Sequence, residues 1–274
     1  MSAIRISVVC AALAALAACD KSGGPTYPGP ESLAAVRFVQ AVSDTGAMDW
    51  RFVDVIANSP VGLGMKFRDV YPGASYQALG AGSRHLRIFQ TSTDLAQTQV
   101  VFFDTTFDFT AGAHYTIMAA GTLRDKKAKL YILQDDYSDP GSNVAVRVIN
   151  AGAGSSVDAY GSATGGTSAL PTSPFVSGVA QYTASKWVSM TPGALVVRVL
   201  NSGSTALPAM IDATAPAGLP ADRANNLTAV GGSTIAGSAF TAFAFPPSVA
   251  GSKAASSTKP SIVYAVDRYP PSGF

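Results

Sequence analysis

Residues able to do chemistry are sparse in this chain, and they match no known catalytic spacing. His85 and His114 are the only histidines. A zinc site or a serine–histidine–carboxylate triad would be built around them, and either needs partners placed to converge on them. No H-x-x-x-H, H-E-x-x-H or G-x-S-x-G pattern occurs. Each histidine lies inside a strand-like run and reads as a strand residue on a solvent face. Asp49–Asp54 and Asp104–Asp108 are local carboxylate pairs, while Asp49 and Asp158 occupy similar contexts far apart, each near an aromatic residue. Glycoside hydrolysis needs two carboxylates about 5–10 Å apart, and the spacing singles out no such pair. Asp135, Asp136 and Asp139 with Asn143 offer oxygens of the kind calcium takes, about six to eight at a time. They depart from the EF-hand spacing and read as a solvated linker. Gly161–Gly166 and Gly231-Gly232 do not join a strand to a helix, so they are loops rather than phosphate cradles. No catalytic, cofactor-binding or metal-ligating residue is expected, and no cofactor.

One thiol has a telling context. A single cation, Arg5, precedes an apolar run from Ile6 to Ala18. The run is shorter than the ~20 residues of a membrane-spanning helix and fits the apolar region of an export signal. It ends Leu16-Ala17-Ala18-Cys19, which resembles a bacterial lipobox. That resemblance implies cleavage between Ala18 and Cys19, with lipidation of Cys19 through its thiol and then its new amino group. Several acyl chains anchor stably where one does not. Cys10 would leave with residues 1–18, so no disulfide is expected in the mature chain. Asp20 resembles an inner-membrane retention residue of enteric bacteria. The expected location is the bacterial cell envelope outside the cytoplasm, at the outer membrane or at the inner membrane facing the periplasm. Residues 19–32 are rich in Gly and Pro and read as a flexible tether reaching about 40 Å.

The elements that would position any site come twice. Val36-Arg37-Phe38-Val39-Gln40-Ala41 returns as Val146-Arg147-Val148-Ile149-Asn150-Ala151, 110 positions later (147 − 37). The following landmarks return in the same order. Met48-Asp49-Trp50 is answered by Val157-Asp158-Ala159, and the strand around Arg87 by the strand around Arg198. Ala111-Gly112-Ala113-His114-Tyr115-Thr116 is answered by Ala236-Gly237-Ser238-Ala239-Phe240-Thr241. Leu130–Tyr137 is answered by Ile262–Tyr269. The second copy is longer, mainly in Leu207–Gly232 and Pro246–Pro260, so strands are kept while surface loops grow.

This pattern of VR-x-x-N-A, a V-D-x-Y-like strand and A-G-x-x-Y-T resembles a bacterial domain of unknown function, common in exported proteins and often in tandem. The resemblance covers Ala35–Tyr137 and Asn143–Tyr269. It implies an immunoglobulin-like β-sandwich and no established activity or catalytic residue. The expected organisation is a lipoprotein signal peptide (1–18), a tether (19–32), a first sandwich (33–137), a linker (138–143), a second sandwich (144–269) and a tail (270–274).

Short runs rich in β-branched and aromatic residues, broken by turn residues, point the same way. Leu86 and Ile88 alternate with Arg87, so one face there is buried. Val100–Phe103 is apolar throughout and reads as covered on both faces. Aromatic residues cluster in the first copy, Trp50, Phe52, Phe67, Tyr71, Tyr76, Phe89, Phe102, Phe103, Phe107, Phe109 and Tyr115, and most of them read as core, since inward residues fill a sandwich. No amphipathic helix stands out. The fold class is all-β, two tandem immunoglobulin-like β-sandwich domains after the signal peptide.

Charged residues make up only 13% of the chain and the net charge is +2, which gives no basic field for nucleic acid. The expected function is a non-enzymatic, membrane-anchored envelope module for binding or adhesion. Its partners would be the membrane, through lipid on Cys19, and an envelope protein or an extracellular glycan or peptide. The alternatives are a structural partner in an envelope assembly and, further off, a carbohydrate-active hydrolase.

Overall fold

Strand β1 (Leu33–Val42) is buried along nearly its whole length, including Arg37 and Gln40. A strand reads so when both its faces are covered. In the computed structural model, which describes residues 32–55, 59–94, 98–136 and 139–270, the cause is a stack of four sheets. The first half continues with β2 (Met48–Phe52), β3 (Val61–Met65), β4 (Val70–Tyr71), β5 (Gln77–Gly80), β6 (Gly82–Gln90), β7 (Val101–Phe109), β8 (His114–Gly121) and β9 (Lys129–Gln134). The second half supplies β10 (Val144–Asn150), β11 (Ser156–Ser162), β12 (Val176–Ala180), β13 (Val188–Met190), β14 (Val196–Asn201), β15 (Ile211–Thr214), β16 (Ala239–Phe245) and β17 (Ser261–Arg268). The chain is all-β and sandwich-like, as its strand pattern predicts.

Strand order is the same in both halves. The inner sheets run β4-β1-β8-β9, with β5 also on β1, and β13-β10-β16-β17. The outer sheets run β3-β2-β6-β7 and β12-β11-β14-β15. In each inner sheet the first strand pairs in parallel with a later one, β1 with β8 and β10 with β16. Parallel neighbours need a long crossover, and the outer sheet of the same half serves as that crossover.

Alternation of side chains assigns the faces. Val36 and Phe38 of β1 meet Trp50, Phe52 and Ile117 in the first core, with the Phe38 and Trp50 rings 5.3 Å apart. Val146, Val148 and Phe240 meet Val157 and Val197 in the second. The residues between them turn the other way. Val39, Ala41 and Met118 of the first inner sheet pack on Ile149, Phe243 and Phe245 of the second. This third cluster is a seam that joins the halves. Each phenylalanine there is worth about 1.5–3 kcal/mol of burial. Residues from Ser32 onward accordingly form one compact unit.

One local reading needs correction. Val100–Phe103 is not covered on both faces: β7 is an edge strand, and Val100 and Val101 are each 41% exposed. The doubly covered strands are β1, β8, β10 and β16, which carry polar residues that a search for unbroken apolar runs passes over. Strand β3 carries two glycines, Gly62 and Gly64, which weaken a strand signal in sequence. The second of these has φ 62° and marks a bulge in the β2–β3 ladder. No helix among the described residues is long and apolar enough to cross a membrane.

Candidate functional site

The seam has two ends of different character, and side chains from both halves meet at each. At one end lies a buried ion cluster. Arg37 on β1 donates from Nη1 to Asp267 Oδ1 on β17 at 2.7 Å, and from Nη2 to the carbonyls of Ser75 and Val266, both at 2.9 Å. Arg147 on β10 makes the reciprocal crossing, with Nη2 in ion contact 2.7 Å from Asp135 Oδ1 just after β9. Thr116 donates to Asp135 at 2.5 Å and Thr241 to Asp267 at 2.8 Å. The Tyr76 hydroxyl sits between the two carboxylates, 2.9 Å from Asp135 and 2.6 Å from Asp267. Tyr76 also stacks beneath Arg37, and Trp187 beneath Arg147, at 4.3 and 4.6 Å.

Each half thus holds its counter-ion inside the other. Two guanidinium groups face two carboxylates, so the cluster is neutral when all four are ionised. Burial pushes the Asp135 carboxyl above its usual range, against the opposing pull of Arg147 and Thr116. Burial alone would lower Arg147, yet Asp135 and Asp267 hold it above its ordinary value. Burial and the flanking carboxylates drive the Tyr76 phenol far upward, so it stays a proton donor. The arrangement holds two sheets in register; its groups are engaged with one another.

The other end begins about 10 Å along β1, at Gln40. There the motif residues Gln40 and Asn150 act alike: each side-chain oxygen accepts the amide two positions on, Val42 at 2.9 Å and Gly152 at 3.2 Å. The same residues' carbonyls accept amides from two left-handed residues, Arg68 (φ 77°) and Tyr182 (φ 63°), at 2.8 and 2.7 Å. A bulky side chain in that region costs energy and is held only by its surroundings. Both reach across the seam. Arg68 donates to the carbonyls of Pro246 and Lys259 in the long β16–β17 connection. Tyr182 packs on Tyr131 with ring centroids 4.8 Å apart. The corresponding β8–β9 connection is short, so the ground beside Tyr182 stays open. The result is a cleft of about 310 Å³ walled by Ser43, Thr122 and Lys127 from the first half and Gly152, Gln181 and Tyr182 from the second.

The residues singled out in the sequence do not converge on one site, although His85 meets Asp104, and His114 and Asp135 both touch Tyr76. His85 pairs with Asp104 on the outer face of the first outer sheet, where Arg87 donates to the same carboxylate at 2.8 Å. The His85 hydrogen bond holds the Asp104 carboxyl below the usual range. His114 stacks edge-on against Tyr76 at 4.9 Å. Asp49 and Asp158 are not partners but equivalents. Each accepts the amide of a left-handed glycine at an edge strand, Gly64 at 2.8 Å and Gly178 at 2.7 Å. Asp54 takes the His85 amide at 2.9 Å, and Asp108 is exposed on the edge strand β7.

The acidic stretch also disperses. Asp135 turns into the seam, Asp136 accepts from Gln134 at 3.0 Å, and Asp139 pairs with Arg268. The Arg268 hydrogen bond and the Gly141 amide bring Asp139 down to about 2. The loop containing Gly161–Gly166 folds over Arg198, whose Nη2 donates to Gly166 O at 2.7 Å. Ala18 and Cys19, with the expected signal and the expected tether as far as residue 31, lie outside the described residues, as do residues 271–274 of the expected tail.

The ion cluster was in the sequence as repeated residues, Arg37/Arg147, Thr116/Thr241 and Asp135/Asp267. The available signal was charge inside strands that carry apolar residues on both sides. No curated protein matches the chain. Residues 34–160, from β1 into β11, match the family model described as Domain of unknown function (DUF4397), and to that family this stretch of the chain is similar.

Proposed function

We propose that this protein is a lipid-anchored, non-enzymatic binding or adhesion module of the bacterial envelope, built from two copies of one domain fused into a single rigid body. The observation that carries the reading is the cleft at the open end of the seam. Its walls come from both halves, and the halves are fixed by reciprocal Arg–Asp pairs and a shared apolar cluster. Clefts at such junctions are the usual place for a ligand site, and a rigid frame lowers the ordering cost of binding. The anchor is supported by Leu16-Ala17-Ala18-Cys19 in the sequence. A glycan array screened with residues 20–274, alongside a pull-down from envelope extract, tests the binding role; a chain that retains neither glycan nor peptide nor protein refutes it. Intact mass of the protein from its native membrane, beside Cys19→Ala, tests the anchor. A mass for a chain starting at Cys19 plus acyl groups is expected, and an unlipidated soluble chain removes it.

A structural role in an envelope assembly is the second reading. It is favoured by the groove between edge strands β3 and β4, where Leu63 and Tyr71 are 59% and 48% exposed. Open strand edges accept further strands. Stoichiometric co-purification with one envelope protein, lost on Leu63→Lys, would favour it.

A further inference from the structure

We propose that the seam cleft beside Tyr182 takes a carboxylate-bearing sugar of an acidic saccharide. This rests on the binding role above and names its site and ligand chemistry.

Three observations converge. The first is charge. The turn after β1 brings cations together: Asp44 accepts the amides of Leu123 and Arg124 at 2.9 and 2.8 Å, which docks the β8–β9 tip on that turn. Gly46 in the same turn lies beside Lys253 of the second half. Arg124, Lys126, Lys127 and Lys253 are all exposed there, in a chain with few charges. The two nearby carboxylates are engaged, Asp44 with those amides and Asp125 with Thr122.

The second is unspent hydrogen bonding. Among the described residues the Lys127 ammonium, the Gln181 amide and the hydroxyls of Ser43 and Tyr182 meet no hydrogen-bond partner. All four line the cleft, and they supply one cation and several neutral donors and acceptors. A flat anionic surface calls for cations alone; a hydroxylated anion calls for this mixture. The third is shape. Tyr182 is held left-handed, braced by Tyr131 and by Gly152, where an added Cβ would come within 3.2 Å of its ring. With Ala41 and Pro246 it forms an apolar wall against which the C–H face of a sugar ring can rest.

Calorimetric titration of residues 20–274 with tetragalacturonate tests the site, with fully methyl-esterified tetragalacturonate as the uncharged control. The proposal expects binding that weakens with salt and about tenfold weaker binding of the ester, since a charge-assisted contact is worth at least that factor. It expects Lys127→Ala to weaken binding about tenfold and Gln181→Ala several-fold. Both side chains are exposed, so unchanged thermal unfolding should show that both variants fold. Equal binding of acid and ester overturns the proposal, as does binding that neither variant alters. Failure of tetragalacturonate to bind at millimolar concentration also overturns it. So does Lys127-dependent binding to phosphatidylglycerol vesicles in place of the saccharide. If the array finds another ligand that both variants retain, the cleft assignment fails while the binding role stands. If array and pull-down are both empty, both fail.

Discussion

Arg37 and Asp267 are 230 residues apart in the chain and 2.7 Å apart in space, with neither side chain exposed. The first described strand is thereby tied to the last through two buried ions. Removing one member leaves the other charged, buried and unpaired, which typically costs about 3–5 kcal/mol. Arg37→Met is expected to destabilise by that amount, and Asp267→Asn by a similar one. The double variant should cost less than the sum. Urea denaturation of the four proteins gives the coupling directly.

The seam predicts a single unfolding transition. The halves share Phe243, Phe245, Met118 and Val39 in one cluster, so neither inner sheet is complete without the other. Scanning calorimetry should show one cooperative peak whose calorimetric and van't Hoff enthalpies agree. Phe243→Ala should lower stability by about 3–5 kcal/mol and move the whole peak. Two peaks, only one of them displaced, would contradict a joint core.

The sandwich class was readable because glycine, proline and aspartate turns punctuate runs of β-branched residues. The stacking of the two sandwiches was not. Val39, Phe243 and Phe245 look like ordinary strand residues; only the burial of Arg37 and Arg147 beside them reveals a second covered face. Asp135 misled for a similar reason. In sequence it belongs with Asp136 and Asp139, yet β9 carries it to the seam end before the chain turns outward. The cleft depends on which of two equivalent connections is short, and it needs the three-dimensional pairing of Gln40 with Asn150 and Arg68 with Tyr182. The first pair stands in the repeated hexapeptide, but Arg68 and Tyr182 are dissimilar in type, so self-comparison of the sequence gives that second pair little weight.

Asp158 predicts a pH effect. Burial favours its neutral form, but the Ser202 hydroxyl and the Gly203 and Gly178 amides outweigh this and hold its pKa below the ordinary value. A carboxylate depressed in the folded state gives its full stabilisation above its unfolded value of about 3.9 and loses it as pH falls toward the folded one. Asp158→Asn is expected to cost about 1–3 kcal/mol at pH 7, because an amide N–H₂ would face donors. The gap between wild type and variant should narrow as pH drops below about 4. Urea midpoints at pH 7 and pH 3 check it; a gap that is constant with pH would count against the ionised acceptor.

The glycines that Asp49 and Asp158 satisfy offer a separate test. Gly64 and Gly178 have φ of 62° and 65°, and an added Cβ at either would meet open space. The cost of Gly64→Ala or Gly178→Ala is therefore backbone conformation alone, about 1–2 kcal/mol. The two values should be alike. Gly121→Ala should cost more, because its Cβ would fall 2.7 Å from the Lys127 carbonyl. Thermal denaturation of the three variants ranks them.

The Arg37–Asp267 contact also sets a clock. A ribosome adds about 5–20 residues per second, so the 230 residues between them take roughly 10–50 s to make. Over that interval β1, β8 and β9 can assemble their sandwich, but Val39, Phe67 and Met118 have no sheet to cover them and Arg37 has no counter-ion. A nascent chain of this protein therefore carries an incomplete first sandwich with one sticky, charged face until β17 arrives. A holding factor that shields that face would serve it longest, and the final strand to be made releases the first.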